Sequence, residues 1–332
     1  MSNSNLPSQS GQNNLSSLNA ASNIMQVRNT ALKPTHYTTR ITSLNPTAFV
    51  LLIDQSGSMS EEISDNKGNS IAKSKQLALT VNKFLDEILL TCRSTDLVKD
   101  YFDIVIIGYG RENVDGESVV KIAWEGLLEG KSWVNVNTLR SSSLRKDIIK
   151  VQNPRSFGPK ELEEEINVWI EPYSEGLTPM KEALEFCTDL LNNWIESHPN
   201  SFPPIVFNIT DGYATDVTNQ NEIVLVSEKL KKLSTSDGNV LLINCLFSDD
   251  IQQIKEFPFV HERKMFEENE YELALFESSS LLPQKMKRII SDIYKKQDYL
   301  TEETKGVVFA NDIERIIKLL EIGTQTLKGT IN

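Results

Sequence analysis

The chain has 332 residues, with 34 Lys+Arg against 46 Asp+Glu and a net charge of −12. That acidity argues against a nucleic-acid binder, whose affinity comes mostly from cations on phosphates. The 39% hydrophobic content supports a sizeable core and excludes a wholly disordered chain.

No apolar run approaches the roughly 18 residues of a membrane span, and no basic-then-apolar segment marks a secretory signal. A cytoplasmic protein is therefore expected. Cys92, Cys187 and Cys245 lie far apart in apolar stretches and read as reduced core residues. His36, His198 and His261 are none of them near a cysteine, which disfavours a zinc site.

Residues 1–45 read as a tail and lead-in, Ser/Asn/Gln-rich over the first 30 or so and too poor in apolar side chains to order themselves. The main domain is expected over 46–280, with a helical C-terminal extension packed on it over 281–332. Ala48–Ile53 (AFVLLI) is a continuous apolar run, the mark of a strand covered on both faces. Ile71–Cys92 carries an apolar stripe at helical spacing. Strands are expected over Tyr101–Tyr109, Val119–Trp124, Ile205–Thr210 and Val240–Phe247, with a short sixth at Ala274–Phe276. Helices are expected over Pro179–Ile195, with Pro179 at the first helical position, and over Asn221–Leu233, Pro283–Tyr294 and Asp312–Leu320. The alternation predicts an α/β fold with an open, mostly parallel sheet and helices on both faces. Residues 125–175 break it and read as an elaborated loop region containing a hairpin or a helix. Within it, the run Glu161, Glu163, Glu164, Glu165 reads as a solvated helix face.

The chemistry gathers at strand ends. Asp54-Gln55-Ser56-Gly57-Ser58 follows the first strand, Gly176-Leu177-Thr178-Pro179 precedes a helix, and Thr210-Asp211-Gly212 ends the fourth strand. In open α/β sheets that carboxyl edge is where ligands bind. Asp54, Ser56, Ser58, Thr178 and Asp211 offer only hard oxygens, which suit Mg²⁺, or else Mn²⁺ or Ca²⁺, and not Zn²⁺ or Cu²⁺. Two carboxylates against a dication leave little surplus charge; if they act partly through bound water, the ion stays electrophilic and would accept one more oxygen, most naturally an Asp or Glu carboxylate of a partner protein. That favours ligation over catalysis.

The three-part motif Asp54/Ser56/Ser58, Thr178 and Asp211 resembles the metal-ion-dependent adhesion site of von Willebrand factor type A domains, over roughly Ala48 to Phe276. The resemblance implies a Rossmann-like fold, with Ser56, Ser58 and Thr178 as direct ligands and Asp54 and Asp211 acting directly or through water. The family usually has two glycines before the threonine; Leu177 replaces the second. Phe276-Glu277-Ser278-Ser279, Leu282-Pro283, Gly306–Phe309 and Ile322-Gly323-Thr324 resemble stand-alone bacterial members of the tellurium-resistance kind, often encoded beside a serine/threonine kinase and a protein phosphatase. That subgroup implies a signalling or stress-defence scaffold.

Two other readings stay open. In a Mg²⁺-dependent phosphohydrolase, Asp54 would be a nucleophile, but the general acid two residues later is replaced by Ser56, and no P-loop is present. A structural interaction domain with an unused metal site is the other. The expected rim comprises Ser56–Glu62, Glu175–Thr178 and Gly212–Asp216. Asp216 fits a turn or cap role, Asp65 and Asn66 border the rim or form a plain turn, and Trp124 and Trp133 are either partner anchors or buried. Self-association through one copy's carboxylate on another's metal is allowed.

Overall fold

The computed structural model describes residues 37–64, 70–94, 97–152, 161–247, 254–310 and 313–328. Its main elements in chain order are Thr47–Asp54 (β1), Lys73–Thr91 (α1), Phe102–Glu112 (β2) and Ser118–Ile122 (β3). A hairpin of Arg145–Gln152 (β4) and Glu161–Val168 (β5) precedes Met180–Ser197 (α2) and Ile205–Thr210 (β6). Then come Asn221–Lys232 (α3), Leu241–Phe247 (β7), Glu270–Ser278 (α4), Gln284–Tyr294 (α5), Val307–Ala310 (β8) and Ile313–Lys328 (α6).

One sheet of eight strands organises the chain. Its order is β3-β2-β1-β6-β7-β8, with the two-residue strand Lys255–Glu256 beyond β8 and Val134–Asn135 also pairing with β2. The pairs β1–β2, β1–β6, β6–β7 and β7–β8 are parallel, while β3 and the two short strands run antiparallel. This is the open, mostly parallel α/β architecture that the alternation predicts, doubly wound and Rossmann-like as the resemblance implies. The strand order reverses between β1 and β6, which makes their carboxyl ends the sheet's topological switch point.

Continuous apolarity in β1 is explained by cover on both faces. Phe49, Leu51 and Ile53 join one core with Leu77, Val81, Phe84, Leu85 and Ile88 of α1, Met286 and Ile290 of α5, and Ile316 and Leu319 of α6. Ala48, Val50 and Leu52 point the other way, to Met180, Leu184, Cys187 and Leu191 of α2, Val226 and Leu230 of α3, and Leu275 of α4. The three cysteines are buried and free. Tyr37 and Ile41 of the lead-in are core residues; residues 1–36, where the disordered tail is expected, lie outside the described residues.

The last helix packs closely. A Cβ placed on Gly323 would lie 2.6 Å from Phe207 Cζ at the centre of the sheet. Gly323→Val is therefore expected to overpack this contact and cost about 2 kcal/mol, read as a lower urea midpoint at unchanged slope.

Several expectations are corrected. Ala274–Phe276 is part of helix α4, because Tyr271, Ala274, Leu275 and Ser278 form its buried side. The outer parallel strand is instead Val307–Ala310, fully buried, so the 281–332 segment supplies a strand of the sheet as well as helices. The run from Glu161 to Glu165 is strand, not a helix face: it pairs with Gln152–Ile148 in the hairpin and is exposed along its length. Helix α1 starts at Lys73, because Ser70–Ala72 pairs with Glu62–Ser64, and Pro179 caps α2 from outside instead of occupying its first turn.

Within 125–175, the hairpin is tied down at its base. Asn82 Oδ1 accepts the backbone N–H of Trp169 (2.9 Å) and Ile170 (3.3 Å), and Asp86 accepts from Asn167 N and Nδ2 at 2.8 and 2.7 Å. Arg145 pairs with Asp147 and Glu171.

Candidate functional site

The loop after β1 is threaded between two neighbours. Gln55 N–H donates to Tyr109 O of β2 (2.7 Å), Glu175 N–H donates to Gln55 O (2.8 Å), and Gly57 N–H donates to Gly176 O (3.0 Å). Two glycines permit this approach. Gly110 sits at a bulge in β2 with φ +108°, and a Cβ there would lie 2.6 Å from both Ser56 N and Leu177 O. Gly176 has φ +63°, and its Cβ would come within 2.5 Å of Gly110 O. Both need the left-handed backbone region and the absence of a side chain.

Of the predicted site residues, Asp54, Ser56, Ser58 and Asp211 come together at the switch point. Asp54, 1% exposed, accepts Ser56 N–H on Oδ1 (2.9 Å) and the Thr210 hydroxyl on Oδ2 (2.7 Å). The Ser56 and Ser58 hydroxyls are 3.2 Å apart, and Ser58 Oγ donates to Asp211 Oδ1 at 2.7 Å. Asp54, Ser56, Ser58 and Asp211 thus form one chain of polar contacts. Thr178 is buried on the adjoining loop, two residues past the Gly176 carbonyl that holds Gly57. Its backbone exchanges hydrogen bonds with Thr215, Thr178 N–H to Thr215 Oγ1 and Thr215 N–H to Thr178 O, both 2.9 Å.

Asp216 is a cap. Its carboxylate accepts from Lys181 N (3.2 Å) and Glu182 N (2.8 Å) in the first turn of α2, where free N–H groups and the helix dipole favour an anion. Asp216→Ala is expected to cost about 1 kcal/mol, measured by urea denaturation.

Sequence reasoning missed two members. Thr210 orients Asp54. Lys73, 3% exposed, places Nζ 3.1 Å from Asp211 Oδ2 and 2.7 Å from Glu61 Oε2. A signal was present: Lys73 lies four and eight residues before Leu77 and Val81, on the buried stripe of α1, where a solvated lysine does not belong. Burial alone would push the Lys73 amine down, but the adjacent Glu61 and Asp211 carboxylates raise it above its ordinary value and keep it charged.

Burial and the nearby Asp211 charge push the Asp54 carboxyl up to about 6, against the lowering effect of the Ser56 and Thr210 hydrogen bonds. Two close carboxylates in a dry site are therefore short of positive charge. Hard hydroxyl and carboxylate oxygens facing that deficit fit a hard divalent ion. Among the described residues no group of three or more His, Cys, Asp or Glu side chains converges, so such an ion would depend on Ser56, Ser58 and Thr178 besides the two aspartates.

The rim carries exposed apolar groups. Leu177 is 62% and Tyr213 56% exposed, and the Tyr213 ring lies 4.2 Å from that of Tyr271. Trp124 is buried, which removes it as an anchor, and Trp133 packs against Trp194. Asp65 and Asn66 lie outside the described residues.

No family model and no curated protein matches the chain. Among solved structures it is similar to the PilB minor pilin from Streptococcus sanguinis, at 13% identity and a TM-score of 0.41, covering 86% of this chain and 62% of that one. It thus spans less than two thirds of PilB. A second is the vWF domain of the type V pili tip protein Mfa5 from Porphyromonas gingivalis, at 9% identity and a TM-score of 0.38, covering 86% and 96%. A third is an uncharacterized membrane spanning protein from Vibrio fischeri, at 12% identity and a TM-score of 0.22, covering 84% and 98%. In the present chain, no described helix is long and apolar enough to cross a membrane.

Proposed function

We propose that the chain is a von Willebrand type A module that binds a protein partner through a divalent ion, Mg²⁺ in the first instance, held at an adhesion site. The observation that carries this is the convergence of Asp54, Ser56, Ser58 and Asp211 at the switch point, with Thr178 on the adjoining loop. The ion supplies an electrophilic position for a partner's Asp or Glu carboxylate. The chain's own part is to hold the hydroxyls in place: Asp54 and Thr210 fix the Ser56 backbone, and Asp211 fixes the Ser58 hydroxyl. Leu177 and Tyr213 give the partner an apolar footing beside the site. The same geometry disfavours hydrolysis, since both oxygens of Asp54 are already engaged within the fold and Ser56 stands where a general acid would be needed. These features support a binding role over a catalytic one. A kinase or phosphatase as the partner, and a signalling or stress-defence setting in the bacterial cytoplasm, follow from the family resemblance.

Calorimetric titration of the full chain with Mg²⁺ in metal-free buffer tests the reading. One saturable site is expected, lost in Asp211→Ala with the fold retained by circular dichroism. Capture of the same partner in Mg²⁺ and in EDTA then separates the adhesion role from a structural domain with an unused site. Absence of Mg²⁺ uptake by the wild type, or a partner equally retained in EDTA, would overturn it.

A further inference from the structure

Lys73 is unusual among the site's neighbours, because a lysine normally extends its amine to water. Here the first residue of α1 is buried and tied twice to Glu61: its backbone N–H donates to Glu61 O at 2.9 Å, and its Nζ donates to Glu61 Oε2 at 2.7 Å. The same Nζ reaches Asp211 Oδ2 at 3.1 Å, while Asp211 Oδ1 takes the Ser58 hydroxyl at 2.7 Å. The two oxygens of Asp211 are thus divided between a hydroxyl on the site's hydroxyl side and a fixed cation behind it. A buried ammonium persists only when paired, and the Glu61 carboxylate that shares it is largely solvent-exposed.

We infer that Lys73 is a resident counter-cation of the site: it positions Asp211, lowers the affinity of the site for a divalent ion, and leaves a bound ion more of its positive charge for an incoming carboxylate. This rests on the adhesion-site reading. The physical reason is competition for one carboxylate. A mobile ion and a tethered ammonium both draw on the Asp211 charge, and the ammonium cannot leave. A purely structural lysine would act in the opposite sense, since losing it would free Asp211 to move and weaken metal binding.

The test uses the full chain and Mg²⁺ alone. Lys73→Met is expected to bind Mg²⁺ about tenfold more tightly, because a unit positive charge close to the ion is removed. In EDTA the variant should have a lower urea midpoint, because Asp211 Oδ2 is left buried and unpaired, and Mg²⁺ should raise that midpoint by more than it raises the wild type's. Lys73→Arg, which keeps the charge, should bind Mg²⁺ within about threefold of wild type. If Lys73→Met does not fold, the exposed Glu61→Gln takes its place. It leaves the ammonium wholly on Asp211 and should weaken Mg²⁺ binding by about threefold, with Glu62→Gln, the same charge change one residue on, having less effect. A folded Lys73→Met with unchanged or weaker Mg²⁺ affinity, or equal effects of Glu61→Gln and Glu62→Gln, overturns the inference while leaving the adhesion site standing. A wild type that takes up no Mg²⁺ overturns both.

Discussion

Asp54→Asn is expected to abolish measurable Mg²⁺ binding and, in EDTA at pH 7.5, to make the protein more stable than wild type by about 2 kcal/mol. The geometry tolerates the amide. Its oxygen can accept the Ser56 N–H and its NH₂ can donate to the Thr210 hydroxyl, replacing the contacts at 2.9 and 2.7 Å. What is lost is a buried charge facing Asp211. The carboxyl of Asp54 is raised to about 6 in the folded protein, above its value of about 3.9 in the unfolded chain. Its contribution to stability is therefore fully present below pH of about 4 and lost as pH rises through about 6. Urea denaturation of wild type and variant in EDTA should coincide in relative stability near pH 4 and diverge by pH 7.5, with the variant the more stable. A variant less stable at pH 7.5 would make the Asp54 charge a structural requirement. Protons compete for the same group, so Mg²⁺ affinity of the wild type should fall as pH drops through that range.

The second large effect lies beneath the site. Asn208 of β6 accepts the Tyr109 hydroxyl on Oδ1 at 2.9 Å and donates from Nδ2 to Asn244 Oδ1 at 2.9 Å. Asn244 Nδ2 in turn donates to Ser278 Oγ and Ser279 Oγ at 3.1 and 2.8 Å. This relay starts on β2, passes over β1 to β6 and β7, and ends on α4, with Tyr109, Asn208 and Asn244 all 1% exposed or less. Asn208→Ala breaks it in the middle. It leaves the Tyr109 hydroxyl only the long contact to Ile209 O at 3.4 Å, strands the Asn244 amide oxygen and opens a small void, for an expected loss of about 3 kcal/mol in urea denaturation. Because the members act together, Tyr109→Phe on top of Asn208→Ala should cost less than the two single changes added. Strict additivity would mean that the hydroxyl and the amide contribute independently.

The parts of this fold that could be read in the sequence are those whose surroundings are uniform. Ile205–Thr210 and Leu241–Phe247 are buried at every residue, so a nearly continuous apolar run, interrupted in each by one asparagine, marks them. The motif at Asp54 could be read because its spacing and its place after a strand occur together. The misread segments have mixed surroundings. Glu161–Glu165 is acidic and solvated on both sides, so no period-two pattern exists to reveal a strand, and glutamate's helix propensity points the wrong way. Ala274–Phe276 is apolar over three residues only, too few to separate a strand from one turn of buried helix. Val307–Ala310 is only four residues long, and its membership in the sheet is fixed by pairing with β7. Lys73 and Thr210 become visible as site residues only when α1 and β6 are brought against the loop after β1, since their partners lie far away in sequence.

The placement of Gly323 against Phe207 and Phe49 bears on how the protein is made. On a ribosome, β1, β2, β6 and β7 all emerge before α6, so the face bearing those two phenylalanines is synthesised long before its lid. Neighbouring strands can pair early and Phe84 of α1 can pack on both rings, but the part of that face under α6 stays open until the chain has been extended past residue 323. Native stability should therefore arrive late and in one step, and a nascent chain halted before that residue should be open to proteases and prone to aggregate.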